Sequence, residues 1–145
     1  MPDAAIGTPA RGIAGREKQR LGDAVGLTQF GVNVSRIKAN SKSALRHWHE
    51  SEDEFIYVLE GEITLREDHG ETVLKPGDAA GWKADSRIGH CLVNHTQKDA
   101  VYIEVGTRAP HETAVYPDID MRAERDKTGQ RYVRKTGEPY PARKV

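Results

Sequence analysis

Between Thr28 and Val105 short apolar or alternating runs are cut by turn chemistry, and none keeps a helical period. Thr28–Lys38 alternates, with Phe30, Val32 and Val34 on one face and Gln29, Asn33 and Ser35 on the other, the pattern of a half-buried strand. Further runs follow at Ala44–His49, Glu54–Glu60, Ile63–Arg66, Thr72–Lys75, Ala79–Trp82, Cys91–His95 and Ala100–Val105. Glycine-, proline- and Asx-rich turns such as Pro76-Gly77-Asp78 separate them. About eight short strands at this spacing leave few architectures open to an all-β chain: a sandwich, a jelly roll or a barrel.

One of these runs asks for more cover than the others. Phe55–Leu59 is apolar or aromatic at every position, so both faces of the strand call for burial. In a small antiparallel protein the second cover is another sheet or a partner subunit, and a homodimer is expected. Gly61-Glu62 reads as a tight turn, with Ile63–Arg66 returning as the hairpin partner of this strand.

The 145 residues make one domain. Residues 1–20, rich in Ala, Gly, Pro and charge, read as a flexible N-terminal arm, 21–110 as the β-barrel, and 111–145 as a charged C-terminal extension. Met121–Lys135 could form a hairpin around Asp126-Lys127-Thr128-Gly129 and pack on the barrel. Lys plus Arg and Asp plus Glu both number 22, which argues against nucleic acid or a membrane surface as partner. A single cysteine, Cys91, cannot close an intramolecular disulfide. With no signal-peptide core and no apolar run of membrane-spanning length, a cytoplasmic protein is the expectation.

The chemistry concentrates in His47–Gly61, HWHESEDEFIYVLEG. Strand side chains alternate faces, so His47 and His49 point the same way and Trp48 the other. Two imidazoles on one face can share a metal ion if a third ligand arrives, and Glu54, returned by the acidic turn Glu50–Asp53, is the candidate. A lone His-x-His pair is more simply read as surface histidines near acids, and the acidic turn as a solvated loop. Ile56 and Val58 should share the inward face of Glu54. Trp82, Tyr57 and Tyr102 are candidates for a ligand mouth, although a core or interface role is the commoner one for aromatics. His69, His95 and His111 read as exposed, and Cys91 as a small buried hydrophobe.

The spacing His47-x-His49, Glu54, Gly61, then Pro76-Gly77-Asp78, then Gly89-His90-x-x-x-Asn94 resembles the two motifs of the cupin superfamily. Longer stretches, LGDAVGLTQFGVN and YIEVGTR followed by YPDIDM, are similar to small bacterial single-domain cupins of unsettled activity. The resemblance implies a double-stranded β-helix, a jelly-roll barrel, holding one divalent metal on His47, His49, Glu54 and His90. Three imidazoles and a carboxylate suit Fe, Mn, Ni, Zn or Cu. The chain departs from the pattern at Ser41, where the motif usually opens with glycine, and in the longer loop KADSRIG before His90. The functions implied are a metal-dependent enzyme (a dioxygenase, isomerase or lyase on a small oxygenated metabolite), a non-catalytic small-molecule-binding or sensing module, or a sugar-nucleotide epimerase/isomerase-like cupin. The intact ligand set argues against the last. No catalytic residue beyond the metal ligands is singled out.

Overall fold

The alternation over residues 28–38 is realised as an eight-residue strand, Phe30–Ile37, but the face of Ser35 and Ile37 is the buried one and the apolar face of Phe30, Val32 and Val34 turns outward. The computed structural model describes residues 6–7 and 15–141. In chain order the elements are β1 (Ile6–Gly7), β2 (Arg16–Arg20), a one-turn α1 (Leu21–Ala24), β3 (Phe30–Ile37), β4 (Trp48–His49), β5 (Glu54–Glu60), β6 (Ile63–Glu67), β7 (Gly70–Leu74), β8 (Ala79–Trp82), β9 (Cys91–Val93), β10 (Ala100–Thr107), β11 (Glu112–Tyr116), β12 (Met121–Asp126) and β13 (Gly129–Val133). No helix among the described residues is long and apolar enough to cross a membrane.

The strands form three antiparallel sheets, ordered β1-β2-β3-β10-β5-β8, β13-β12-β11-β4 and β7-β6-β9. The two smaller sheets are stitched together by the segment leading into β4. Asn94 N donates to Ser41 O (2.8 Å), Ser43 N to Leu92 O (2.8 Å), and His47 and His90 exchange N–H···O bonds at 3.1 and 3.0 Å. The result is two layers with one core between them. Ile37, Ile56, Val58, Trp82, Ala100 and Tyr102 come from the six-stranded sheet, and Ile63, Leu65, Leu74 and Leu92 from the opposite layer. The all-β expectation holds. The strands pair into three separate sheets that stack as a two-layered β-fold.

Three expectations are corrected. First, β6 is not the hairpin partner of β5. It pairs with β7 and β9, whereas β5 lies between β10 and β8. Gly61 turns the chain out of the first layer with φ of 70°, and a Cβ there would sit 2.5 Å from Asp99 O, so only glycine fits that corner. Second, β5 is not buried on both faces within the chain. Ile56 and Val58 are in the core, but Phe55, Tyr57 and Leu59 are 44%, 40% and 41% exposed. Val34, Ile103 and Val105 share that outer face through the register Tyr57↔Ile103↔Val34 and Phe55↔Val105. Third, Arg16–Arg20, placed in the arm by the sequence reading, pair with β3 over five residues. Residues 1–5 and 8–14 of that arm, and 142–145 of the extension, lie outside the described residues.

The extension does form the β12–β13 hairpin, and β11 then docks it against β4 with Ala114 opposite His49. Ala114, Ala123 and Val133 are buried beneath it.

Candidate metal centre

His47 and His49 leave the same face of one segment, as the two-residue strand period requires, with ring centroids 5.0 Å apart. His90 sits across the backbone bridge from His47, its ring 5.4 Å away. Glu54 is the first residue of β5 and comes from the opposite layer. The site is therefore assembled between the sheets, imidazoles on one side and carboxylate on the other. Glu54 Oε1 lies 3.0 Å from His49 Nε2 and Oε2 lies 2.5 Å from His90 Nε2. Donor atoms of His47, His49 and Glu54 all fall within 4.8 Å of one another, and His90 joins this set through Glu54.

Two of the three rings are held in one orientation by what their other nitrogens meet. His47 Nδ1 is 2.7 Å from Leu45 O and His90 Nδ1 is 3.1 Å from Ile88 O. A carbonyl can only accept, so each Nδ1 carries a proton, and each ring is turned with Nε2 toward the centre. His49 Nδ1 is buried, lacks a well-aligned hydrogen bond, and faces Glu112 Oε1 at 3.4 Å. Trp82 stacks on His90 at 3.7 Å between centroids with a 3° tilt, and its Nε1 donates to Glu67.

The charges respond to this packing. Burial pushes the Glu54 carboxyl up, but hydrogen bonds from His49 and His90 outweigh it and hold the group well below the usual carboxylate range. Burial drives His47 down to about 4, so it is a neutral ligand-ready imidazole at physiological pH. His49 is raised: burial opposes its charge, but the Glu54 hydrogen bond and the nearby charges of Glu54, Glu112 and Glu52 prevail. Burial raises the Glu112 carboxyl, with His49 opposing. An ionised carboxylate and imidazoles gathered at one point make a cluster whose donor atoms fit a divalent metal ion.

The acidic turn is solvated at Glu50, Ser51 and Asp53 but not at Glu52. Glu52 is buried and accepts from Ala109 N (2.8 Å) and Arg125 (2.7 Å). Glu112 clamps the turn by accepting from Glu50 N and Ser51 N, both at 3.0 Å. Asp53 accepts from Ala84 N at 2.7 Å. Among the aromatic candidates, Trp82 and Tyr102 are core residues, the former against His90, while Tyr57 lies on the outer face away from the site. His69 and His111 are exposed, His95 faces Glu71 at 3.6 Å, and Cys91 is buried. Sequence reasoning missed Glu112 and Tyr116, whose ring is 5.5 Å from that of His47. Both lie some sixty residues from the histidines in a charged tail, and no spacing rule could have joined them.

Comparison with known proteins agrees with this architecture. The family profile described as "Cupin domain" matches residues 33–106. No curated protein sequence matches the chain. Among solved structures, a sugar phosphate isomerase of the cupin superfamily from Silicibacter pomeroyi is 46% identical, with TM-score 0.87 over 92% of this chain and 85% of that one. A protein from Acidithiobacillus ferrooxidans, named provisionally as a sugar phosphate isomerase, is 28% identical, with TM-score 0.79 over 87% of this chain and 80% of that one. The polyketide cyclase RemF from Streptomyces resistomycificus shares the fold at 24% identity and TM-score 0.61, over 71% of this chain and 74% of that one. The matched profile spans both histidine motifs and the strands that carry them, and the chain is a member of the cupin family.

Proposed function

We propose that the chain is a mononuclear metal enzyme that isomerises a small phosphorylated sugar, with His47, His49, Glu54 and His90 as the metal ligands. The observation that carries this reading is the gathering of His47, His49 and His90 around one ionised carboxylate between the layers, two of them in Nε2 contact with it. Names of the 46% and 28% identical relatives support the substrate class. A bound divalent metal would supply Lewis acidity toward adjacent hydroxyl and carbonyl oxygens. The protein would supply the rest from the inward face of the six-stranded sheet. Gly106 and Gly31, in register with Glu54, add no side chain at its level. One step along the same face stand Asn33 and Glu104, followed by Ser35, with Arg16 and Lys18 reaching Glu104 at 3.3 and 2.8 Å. Two cations against one carboxylate, with amide and hydroxyl groups beside them, suit a polyol carrying an anionic group. The closed jelly-roll barrel of the family is the form we infer for the two layers around this site.

Protein purified without a metal-affinity tag should contain close to one transition metal per chain. Metal-loaded enzyme should interconvert at least one aldose–ketose phosphate pair in a panel followed by NMR, and His49→Ala should not. Binding of these sugars without turnover would replace the enzyme by a small-molecule-binding module. Wild-type protein that stays metal-free after incubation with Fe(II), Mn(II), Ni(II) and Zn(II) would end both readings.

We also infer a homodimer through the outer face of the six-stranded sheet. Phe55, Tyr57 and Leu59 form an exposed apolar row there, continuous with Val34, Ile103 and Val105, and a second copy of the same row is its complement. Sedimentation velocity should give a dimer for wild type and a monomer for Tyr57→Glu. A monomeric wild type at micromolar concentration would remove the inference.

A further inference from the structure

His49 differs from its two companions. Backbone carbonyls two residues back in the chain take the Nδ1 protons of His47 and His90. The carbonyl two residues before His49 is that of His47, and it accepts from His90 N instead. His49 has no such acceptor. Its Nδ1 is buried, without a well-aligned hydrogen bond, and the nearest acidic atom is Glu112 Oε1 at 3.4 Å. A buried, unpartnered ring nitrogen on a candidate metal ligand needs an explanation. Metal-bound histidines almost always give their second N–H to a carboxylate or carbonyl, which fixes the tautomer and ring orientation.

Glu112 is built for that task. It opens β11, the strand of the C-terminal extension that pairs with β4, and the register Ala114↔His49 brings it alongside the ligand. Its side chain is 4% exposed, and its two oxygens are pinned by Glu50 N and Ser51 N. A carboxylate so held cannot swing away. With its lone pairs only partly used, it can still accept one further proton donor. We propose that Glu112 is a positioning residue for His49: its carboxylate accepts the Nδ1 proton and so keeps Nε2 as the metal-facing nitrogen. The charged extension would then serve as the third wall of the metal centre. This inference rests on the metal reading above for its purpose, though the contact itself can be tested without metal.

The test has two arms on the full-length chain. In metal-free protein labelled with 15N-histidine, His49 of wild type should show a protonated Nδ1 throughout the pH range in which the fold persists. Glu112→Gln should lose this preference and populate the Nε2–H tautomer. In the second arm, Zn(II) competition against a chelator should give one tight site per chain in wild type. The site should weaken about 10- to 100-fold in Glu112→Gln, the usual cost of removing such a partner. Arg125→Gln breaks the tie from the same extension to Glu52 without touching His49. It should lower the melting temperature while leaving the nitrogen shifts, and the affinity within about twofold, unchanged. If Arg125→Gln shifts the tautomer as much as Glu112→Gln, Glu112 acts only by holding the turn in place and the proposal fails. An unchanged His49 tautomer in folded Glu112→Gln also overturns it, as does a second Zn(II) shared by His49, Glu52 and Glu112. Should Glu112→Gln not fold, Glu112→Asp, which keeps the charge and draws it back from the ring, takes its place with the same expectations. If wild type takes up no metal, the metal reading fails, and the nitrogen shifts alone decide the Glu112 assignment.

Discussion

Glu54 and Glu104 sit on the same inward face of the six-stranded sheet, Glu54 level with Gly106 and Glu104 level with Ile56. Both are partly buried carboxylates held below the usual range, and both accept several hydrogen bonds. Their donors differ in kind. Glu104 is held by the Arg16 guanidinium, the Lys18 ammonium, the Asn33 amide and the Ser35 hydroxyl. Glu54 is held by two imidazoles, whose facing Nε2 atoms are of the kind that ligates metals. The first network ties β2 into the sheet, and the second could exchange its contacts for a metal ion. Two adjacent clusters of the same polarity thus differ in what they can do, set by whether the donors are cations and amides or imidazoles.

The largest expected effect lies at the exchangeable cluster. His49→Ala should weaken Zn(II) binding at least about 1,000-fold, or about 4 kcal/mol, measured by chelator competition, while its far-UV spectrum stays β-type. Metal addition comes next. At a hundredfold excess over the dissociation constant it should stabilise wild type by about 2.7 kcal/mol in denaturant melts. Glu104→Gln should show the same gain and His49→Ala none; a smaller gain in Glu104→Gln would mean the two clusters are not independent. Third, Glu104→Gln should cost about 2 kcal/mol of stability in metal-free protein, between the values for exposed and fully buried pairs. The smallest effect is in acid. Burial pushes the Glu104 carboxyl up, but Arg16 and Lys18 pull it below its ordinary 4.5. A depressed folded-state pKa contributes stability above the unfolded value and loses it as pH falls through the folded one. The advantage of wild type over Glu104→Gln should therefore be constant above about pH 5 and shrink below 4.5. An advantage that persists undiminished at pH 2 would show that charge is not its source.

Much of this is legible in the sequence. Alternation in Phe30–Ile37 and the inward pair Ile56 and Val58 were read from period alone, because strand side chains have only two places to go. His47 and His49 share a face for the same reason, and Glu54 was reached by counting a turn. What failed was pairing. Nothing local says that β6 leaves β5 for the other layer, since a glycine turn suits a hairpin and a corner equally. The doubly apolar run of β5 implies two covers, and the chain itself provides only one of them. Glu52 looked like part of a solvated turn because its partner, Arg125, is 73 residues away, and Glu112 was invisible for the same reason.

The stack of Trp82 on His90 has an optical consequence. An indole in face-to-face contact with an imidazole reports that ring's charge through its emission, because a protonated imidazole quenches it. Trp82 touches a ring bound to Glu54, and Trp48 projects to the opposite side of the histidine strand. The protein therefore carries an intrinsic fluorophore against the candidate site and a second one as internal reference, so that a metal added to the site would be followed by light with no label.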